Sequence, residues 1–275
     1  DISGPRGNLD FRVAHGDNWQ TNGVTKVSPP AFILVRNAGT GEADGVYKPG
    51  ARRWCDHDVY QNRYGDCIIS REANESKKTG EVKHGFVLGK DGRPLYGVKT
   101  EKDEVPKKGW KVFQGHEPVP EVLIFKTWGE ACQNAAWYFA QEADNAAKGE
   151  HWKVVLMMAD RAFDCHTCAR PKGRGDFRDG GPEWCTQLCD LLGTRSDALL
   201  RLGEYKRALV DACSAVHFVA AFEWSKARTR GITACMNLGV EEAQAKLLME
   251  EMCKRTDRDF PGVQALVPII DVFLE

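Results

Sequence analysis

Four cysteines carry the strongest chemical signal in the chain. They fall in two close pairs, Cys165-His-Thr-Cys168 and Cys185-Thr-Gln-Leu-Cys189. Zn²⁺ takes four thiolate or imidazole ligands in a tetrahedron, and two such pairs supply that number, with His166 as a further imidazole. The first pair falls at the end of one predicted helix and the second at the start of the next, where thiols at i and i+4 share a face. Antiparallel packing of those helices brings both pairs to the neck of the segment between them. The same spacing suits disulfides that pin that segment, or reduced thiols packed in a core, so zinc, disulfide and buried thiol all stay open. A thioredoxin-type redox role needs its Cys-x-x-Cys at a helix N-terminus after a strand, where the thiol pKa is lowered. Here the pair follows a helix, which removes that reading.

Other chemical candidates are weaker. His57 stands between Asp56 and Asp58, and reads as a surface metal site or as a polar loop. Cys55 and Cys67 flank it and could pair across a hairpin. Arg52-Arg53-Trp54 is a basic-aromatic patch, but a net charge of -1 gives the chain no general field for nucleic acid or anionic lipid. Gly39-Thr-Gly41 with Gly45 has the glycines of a phosphate loop. Val46-Tyr47 and a turn follow it, so it lacks the helix N-terminus that binds phosphate. There is no Gly-x-x-x-x-Gly-Lys-Ser/Thr, no Gly-x-Ser-x-Gly, no His-Glu-x-x-His and no EF-hand loop. No carboxylates pair for acid–base work, so no residue reads as catalytic and the expectation is a non-enzyme.

The elements that must position these residues divide the text in two. At 275 residues the prior is about two domains. Residues 1–27 read as an extended arm. From 28 to 125 the text is that of short strands: Ala31–Val35, Gly45–Tyr47 before a Pro49-Gly50 turn, Cys67–Ile69, Gly85–Leu88, Leu95–Val98, Trp110–Phe113 and Val122–Phe125. Lys90-Asp91-Gly92-Arg93 holds the Asp-Gly pair of a tight hairpin. Six or seven strands in so short a stretch predict a small antiparallel β-domain. From 126 to 275 the text is helical, apart from a Gly/Arg-rich insertion at 166–183 that contains Arg174 and Arg178. Asp259-Phe-Pro261 signals the start of a last helix, which Pro268 would kink and which could cap the array.

Two predicted helices carry the same apolar stripe. Trp152, Val155, Leu156, Ala159, Ala162 and Phe163 sit at offsets 0, 3, 4, 7, 10 and 11, and Tyr205, Ala208, Leu209, Ala212, Ala215 and Val216 sit at the same offsets. Each stripe follows a Gly-Glu pair, Gly149-Glu150 and Gly203-Glu204. Apolar residues at this spacing share one helix face, and recurrence of the unit points to stacked helical repeats. Trp152 and Tyr205 lie 53 positions apart. That is about 19 more than a tetratricopeptide period of ~34, and the insertion is about that long.

Leu191 to Ala215 (Leu-Leu-Gly-Thr-Arg-Ser-Asp-Ala-Leu-Leu-Arg-Leu-Gly-Glu-Tyr-Lys-Arg-Ala-Leu-Val-Asp-Ala-Cys-Ser-Ala) resembles a tetratricopeptide repeat of the co-chaperone subgroup. Ser225–Gly231, Leu238-Gly239 and Ala243 resemble the repeat that follows it, and the likeness covers about 130–255. It implies stacked helical hairpins that bind other proteins. In the subgroup, Lys, Asn and Arg side chains hold a client's C-terminal carboxylate. Lys226 and Arg230 fall near the last Lys and Arg of that set, and Thr194 stands where an Asn is expected. Ser28–Phe32, Gly45-Val-Tyr47, Pro94-Leu-Tyr96, Gly109-Trp110, Gly115 and Pro118-Val-Pro120 are similar to a small β-module of algal and other protist proteins, with Asp44 in place of its usual Asn. That module acts as an accessory or targeting unit. Tyr47, Tyr96 and Trp110 read equally as fillers of a small core.

The sequence thus predicts an α+β chain: a small antiparallel β-domain, then an all-α tetratricopeptide-like array of helical hairpins. The expected function is a non-catalytic adaptor or an accessory subunit of a larger assembly, an organellar photosynthetic complex being one such setting. Its partners would be other proteins and not nucleic acid, met through Lys226, Arg230, Arg174 and Arg178. A zinc-stabilised binding module, and an enzyme with an unrecognised site in the β-domain, are the alternatives. No cofactor other than zinc is suggested. No run approaches the ~18 apolar residues of a membrane span. The first residue is Asp1, which fits a removed presequence or a trimmed chain, and ten cysteines leave plastid and cytoplasm both open.

Overall fold

A division at Lys126–Thr127 separates two units, each with its own core. The computed structural model describes residues 31–54, 57–64, 66–75, 80, 82–169, 182–216, 224–254 and 266–274. The arm at 1–27, Cys55, Asp56, Arg174, Arg178 and the Asp259-Phe-Pro261 signal lie outside the described residues, as do the side chains of Arg52, Arg53, Trp54 and His57.

The first unit is one antiparallel sheet of β1 (Phe32–Arg36), β2 (Gly45–Trp54), β3 (His57–Asn62), β4 (Cys67–Glu75), β5 (Val82–Lys90), β6 (Arg93–Lys99), β7 (Lys111–Val112) and β8 (Glu121–Phe125). Strands β1 to β7 run as a meander, and β8 returns to pair with β1, Phe32 opposite Phe125 and Arg36 opposite Glu121. Alternation along the strands sends Ile33, Tyr47, Ile69, Phe86, Leu88 and Tyr96 into one core. The sheet curls, so that Tyr96 on β6 reaches the β1–β2 loop across the three strands between β6 and β2. Its hydroxyl accepts from Thr40 N–H at 2.9 Å and donates to His116 O at 2.7 Å. The Asp-Gly hairpin forms as expected, with Asp91 and Gly92 at φ 50° and 75°, the positive values that a type I′ turn requires.

Asp44-Gly45-Val46-Tyr47 is a self-braced corner. Asp44 Oδ1 accepts from Ala38 N–H at 2.9 Å, and Tyr47 Oη donates to Ala43 O at 2.7 Å. A Cβ on Gly45 would lie 2.5 Å from Asn62 Oδ1, so only glycine fits. Two expectations are corrected here. Pro49-Gly50 is not a turn but lies inside β2, where a register shift between Pro49 and Arg53 absorbs a proline that cannot donate to the ladder. His57 and Asp58 are not loop residues; they open β3, paired with Trp54 and Arg53.

The second unit holds α1 (Trp128–Lys148), α2 (Trp152–Cys168), α3 (Pro182–Arg201), α4 (Tyr205–Val216), α5 (Trp224–Asn237), α6 (Glu242–Lys254) and α7 (Leu266–Leu274). Thr127 caps α1 by accepting from Glu130 N–H at 3.2 Å, in a Thr-x-x-Glu capping sequence. Each helix from α1 to α6 packs on the next. In addition α1 touches α3, α3 touches α5 and α4 touches α6, so odd and even helices form two layers. The short links α1–α2, α3–α4 and α5–α6 make antiparallel hairpins. Both stripes face inward: Ala159, Ala162, Ala208 and Ala212 are fully buried, which lets neighbouring backbones approach. Trp152 and Tyr205 open α2 and α4 at equivalent positions.

All three hairpins close with the same hydrogen bonds. Glu204 N–H donates to Leu199 O, Val240 N–H to Cys235 O and His151 N–H to Ala146 O, each spanning five residues back as in a Schellman motif. The left-handed residue is Gly203 (φ 78°), Gly239 (φ 88°) and, in the first hairpin, Glu150 (φ 57°). The two Gly-Glu pairs are therefore not equivalent: Glu150 takes the place of Gly203, and Gly149 sits one residue early. The last helix returns to the flank of α4, with Ile270 buried in the shared core and Lys206 Nζ 2.5 Å from Asp271 Oδ1. Pro268 is the third residue of α7 as described. Among the described residues no helix is long and apolar enough to cross a membrane.

Candidate functional site

A groove of about 620 Å³ lies in the helical unit. The odd helices supply its walls: Asp144 from α1, Thr194 and Asp197 from α3, Thr233 and Asn237 from α5. The two stripe aromatics, Trp152 and Tyr205, close it at the hairpin ends. Arg201 lies with its guanidinium carbon 5.4 Å from the Trp152 ring centroid, a cation–π contact that fixes both side chains.

The groove face continues along the odd helices. Trp137 lies two turns before Asp144 on α1, so both share a face. Asp190 and Lys226 stand two turns before Asp197 and Thr233 on α3 and α5. All three are exposed, and Trp137 is 58% exposed, a large apolar area for a tryptophan inside a helix. In the sequence Trp137 reads as one residue of an Ala-rich helix. Its signal was available: it falls off the stripe formed by Ala131, Ala135, Tyr138 and Phe139.

Lys226 and Arg230 both lie on α5, four residues apart, as the resemblance implied. Their roles diverge. Lys226 is exposed, whereas Arg230 donates from Nε to Asp197 Oδ1 at 2.7 Å and from Nη2 to Oδ2 at 2.8 Å. This bidentate pair engages the guanidinium fork within the array. Asp197 thus occupies the position that an incoming carboxylate would take on Arg230.

Cys165 and Cys168 end α2, and Cys185 and Cys189 lie in the first two turns of α3, as expected from their spacing. Cys165 and Cys185 are buried and the other two half-buried, and all four are thiols. His166 is buried beside the first pair. Among the described residues no group of three or more His, Cys, Asp or Glu side chains is placed to hold a metal ion. Burial pushes the Cys235 thiol up to about 11 and raises that of Cys67, which keeps both protonated and poor nucleophiles. In the β unit Tyr47 and Tyr96 are fully buried and Trp110 nearly so, its indole N–H donating to Pro106 O at 2.9 Å. Compared with known proteins, the chain matches no family model, no curated protein and no solved structure.

Proposed function

We propose that this chain is a non-catalytic interaction protein, whose tetratricopeptide-like array binds a segment of a partner protein along the groove face of α1, α3 and α5. The observation that carries this reading is Trp137, a tryptophan held in the open on a rigid helix in line with the groove. Exposed aromatics on rigid elements are the residues that dominate protein interfaces, and truncating one costs at least ~2 kcal/mol of binding when it is an anchor. Asp190 and Lys226 add one charge of each sign further along the same face, on α3 and α5, which suits a partner segment of mixed polarity. The paired state of Arg230 argues against a chaperone-type carboxylate clamp. The filled interior of the β unit favours an accessory role over an enzyme site there. An adaptor or a stable subunit of a larger assembly follows.

The test is isolation of the chain from its own cells with a photo-crosslinking residue at position 141, one helical turn from Trp137, with and without Trp137→Ala. The expected result is a defined protein adduct that Trp137→Ala weakens at least tenfold, with circular dichroism unchanged. A chain that runs as a free monomer in native extract, without adduct, overturns the proposal.

A further inference from the structure

Arg195 on α3 lies between carboxylates from two other helices. Its Nε is 3.0 Å from Asp160 Oδ1 on α2 and 3.3 Å from Asp211 Oδ2 on α4. Nε carries a single hydrogen, and neither it nor Asp211 Oδ2 makes a well-directed hydrogen bond. The guanidinium stacks over Phe163, 4.9 Å from the ring centroid, so one side of the cation meets an apolar face. Asp211 is 2% exposed, between Val210 and Ala212 in the buried run of α4. Arg207, on α4 itself, also acts on Asp211, but it is exposed and engaged by Glu204 at 2.5 Å. On the other helices around α4, Arg228 is engaged with Glu250, Arg230 with Asp197, Lys246 with Glu242 and Asp271 with Lys206, and Asp190 and Lys226 are exposed. Asp160 stands nearly half in water, whereas Asp211 is shut away from it, so an ionised Asp211 would lack both solvent and a well-directed partner.

We propose that Asp160, Arg195 and Asp211 form a proton-linked joint between the first two helical hairpins: in the folded chain Asp211 holds a proton and Arg195 is left to Asp160, and loss of that proton puts a second anion into the joint and weakens the packing of α2, α3 and α4. Burial raises the Asp211 carboxyl to about 7; Arg195 opposes the rise, Asp160 adds to it and Arg207 opposes it weakly. Thr194, the residue before Arg195, lines the groove, whereas no member of the joint does. The joint is independent of what that groove binds.

An aspartate whose pKa rises on folding holds its proton more tightly in the native chain than in the unfolded one. Its contribution to stability is complete below the unfolded value near 4 and is lost as pH rises through the folded value near 7. The full chain and its Asp211→Asn variant are unfolded with urea between pH 5 and 8. The wild-type unfolding constant, divided by that of Asp211→Asn, should rise about tenfold per pH unit from 5 to 7, roughly a hundredfold in all, and flatten above that. A ratio that stays constant, or falls, overturns the joint. Should Asp211→Asn fail to fold, carbon-detected titration of aspartate carboxyls in the wild-type chain decides. One carboxyl titrating near 7 supports the proposal, and every carboxyl titrating below 5 overturns it.

Discussion

The three hairpins of the helical unit close in one way but with two kinds of residue, which allows a sharp test of their equivalence. Glu150 holds φ 57° where Gly203 holds 78° and Gly239 holds 88°. For an L-residue the left-handed region costs about 1–2 kcal/mol, because Cβ crowds the following carbonyl. Glycine removes that cost but has more freedom to lose on folding, about 0.4–1 kcal/mol. Glu150→Gly should therefore stabilise the helical unit by about 0.5–1 kcal/mol. The reverse change, Gly203→Ala, should destabilise it by about the same 0.5–1 kcal/mol. Sterics do not confuse the second figure: a Cβ on Gly203 would meet only Tyr205 Oη, at 4.0 Å. For a unit of roughly 150 residues, 1 kcal/mol corresponds to ~2–4 °C in Tm. The assay is urea unfolding and thermal melting of the full chain, followed by helical circular dichroism at 222 nm. Glu150→Ala serves as control, since it removes the carboxylate but keeps the backbone cost, and should be close to neutral. If Glu150→Gly lowers stability while Gly203→Ala leaves it unchanged, the two turns are not equivalent and the repeat reading of residues 150 to 255 fails.

Three further outcomes are expected. Gly45→Ala forces a Cβ to within 2.5 Å of Asn62 Oδ1 and should cost the β unit about 2–3 kcal/mol, read as an early loss of tyrosine near-UV dichroism with the helical signal intact. Leu192→Ala empties a fully buried position in the helical core and should cost about 2–5 kcal/mol by urea unfolding, against less than ~0.5 kcal/mol for the exposed Gln187→Ala. A double-mutant cycle of Asp197→Ala with Arg230→Ala should give a coupling of no more than about 1 kcal/mol, because nearly half of the Asp197 side chain is in water; a larger coupling would make the pair a structural clasp.

What the amino-acid text discloses about this fold depends on whether a signal is local. Asp91-Gly92 specifies its turn by itself, since both residues tolerate positive φ, and the hairpin stands where the text puts it. The two stripes disclose α2 and α4 because the spacing of Ala159 and Ala162, or Ala208 and Ala212, states which face is buried without reference to any neighbour. Strand β3 is illegible for the opposite reason. His57–Asn62 shows no clean alternation, and it is a strand because β2 and β4 lie on either side of it. Pro49-Gly50 misleads in the same way: its turn chemistry is strong, yet the register shift in the β2–β3 ladder tolerates it.

The candidate site has the same division. Cys165, Cys168, Cys185 and Cys189 are conspicuous in the text, and their helical placement follows it. The residues that give the groove its character are not conspicuous, since their meaning lies in partners far along the chain. Arg230 reads as an available cation until Asp197, 33 residues earlier, is found across from it. Asp211 reads as one more polar residue until Arg195 and Asp160 arrive from two other helices. Periodicity names the face on which a side chain stands, whereas charge compensation depends on which faces meet. The pH dependence of Asp211 and the coupling of Asp197 with Arg230 are therefore the measurements that test the packing itself, beyond the secondary structure that the stripes already imply.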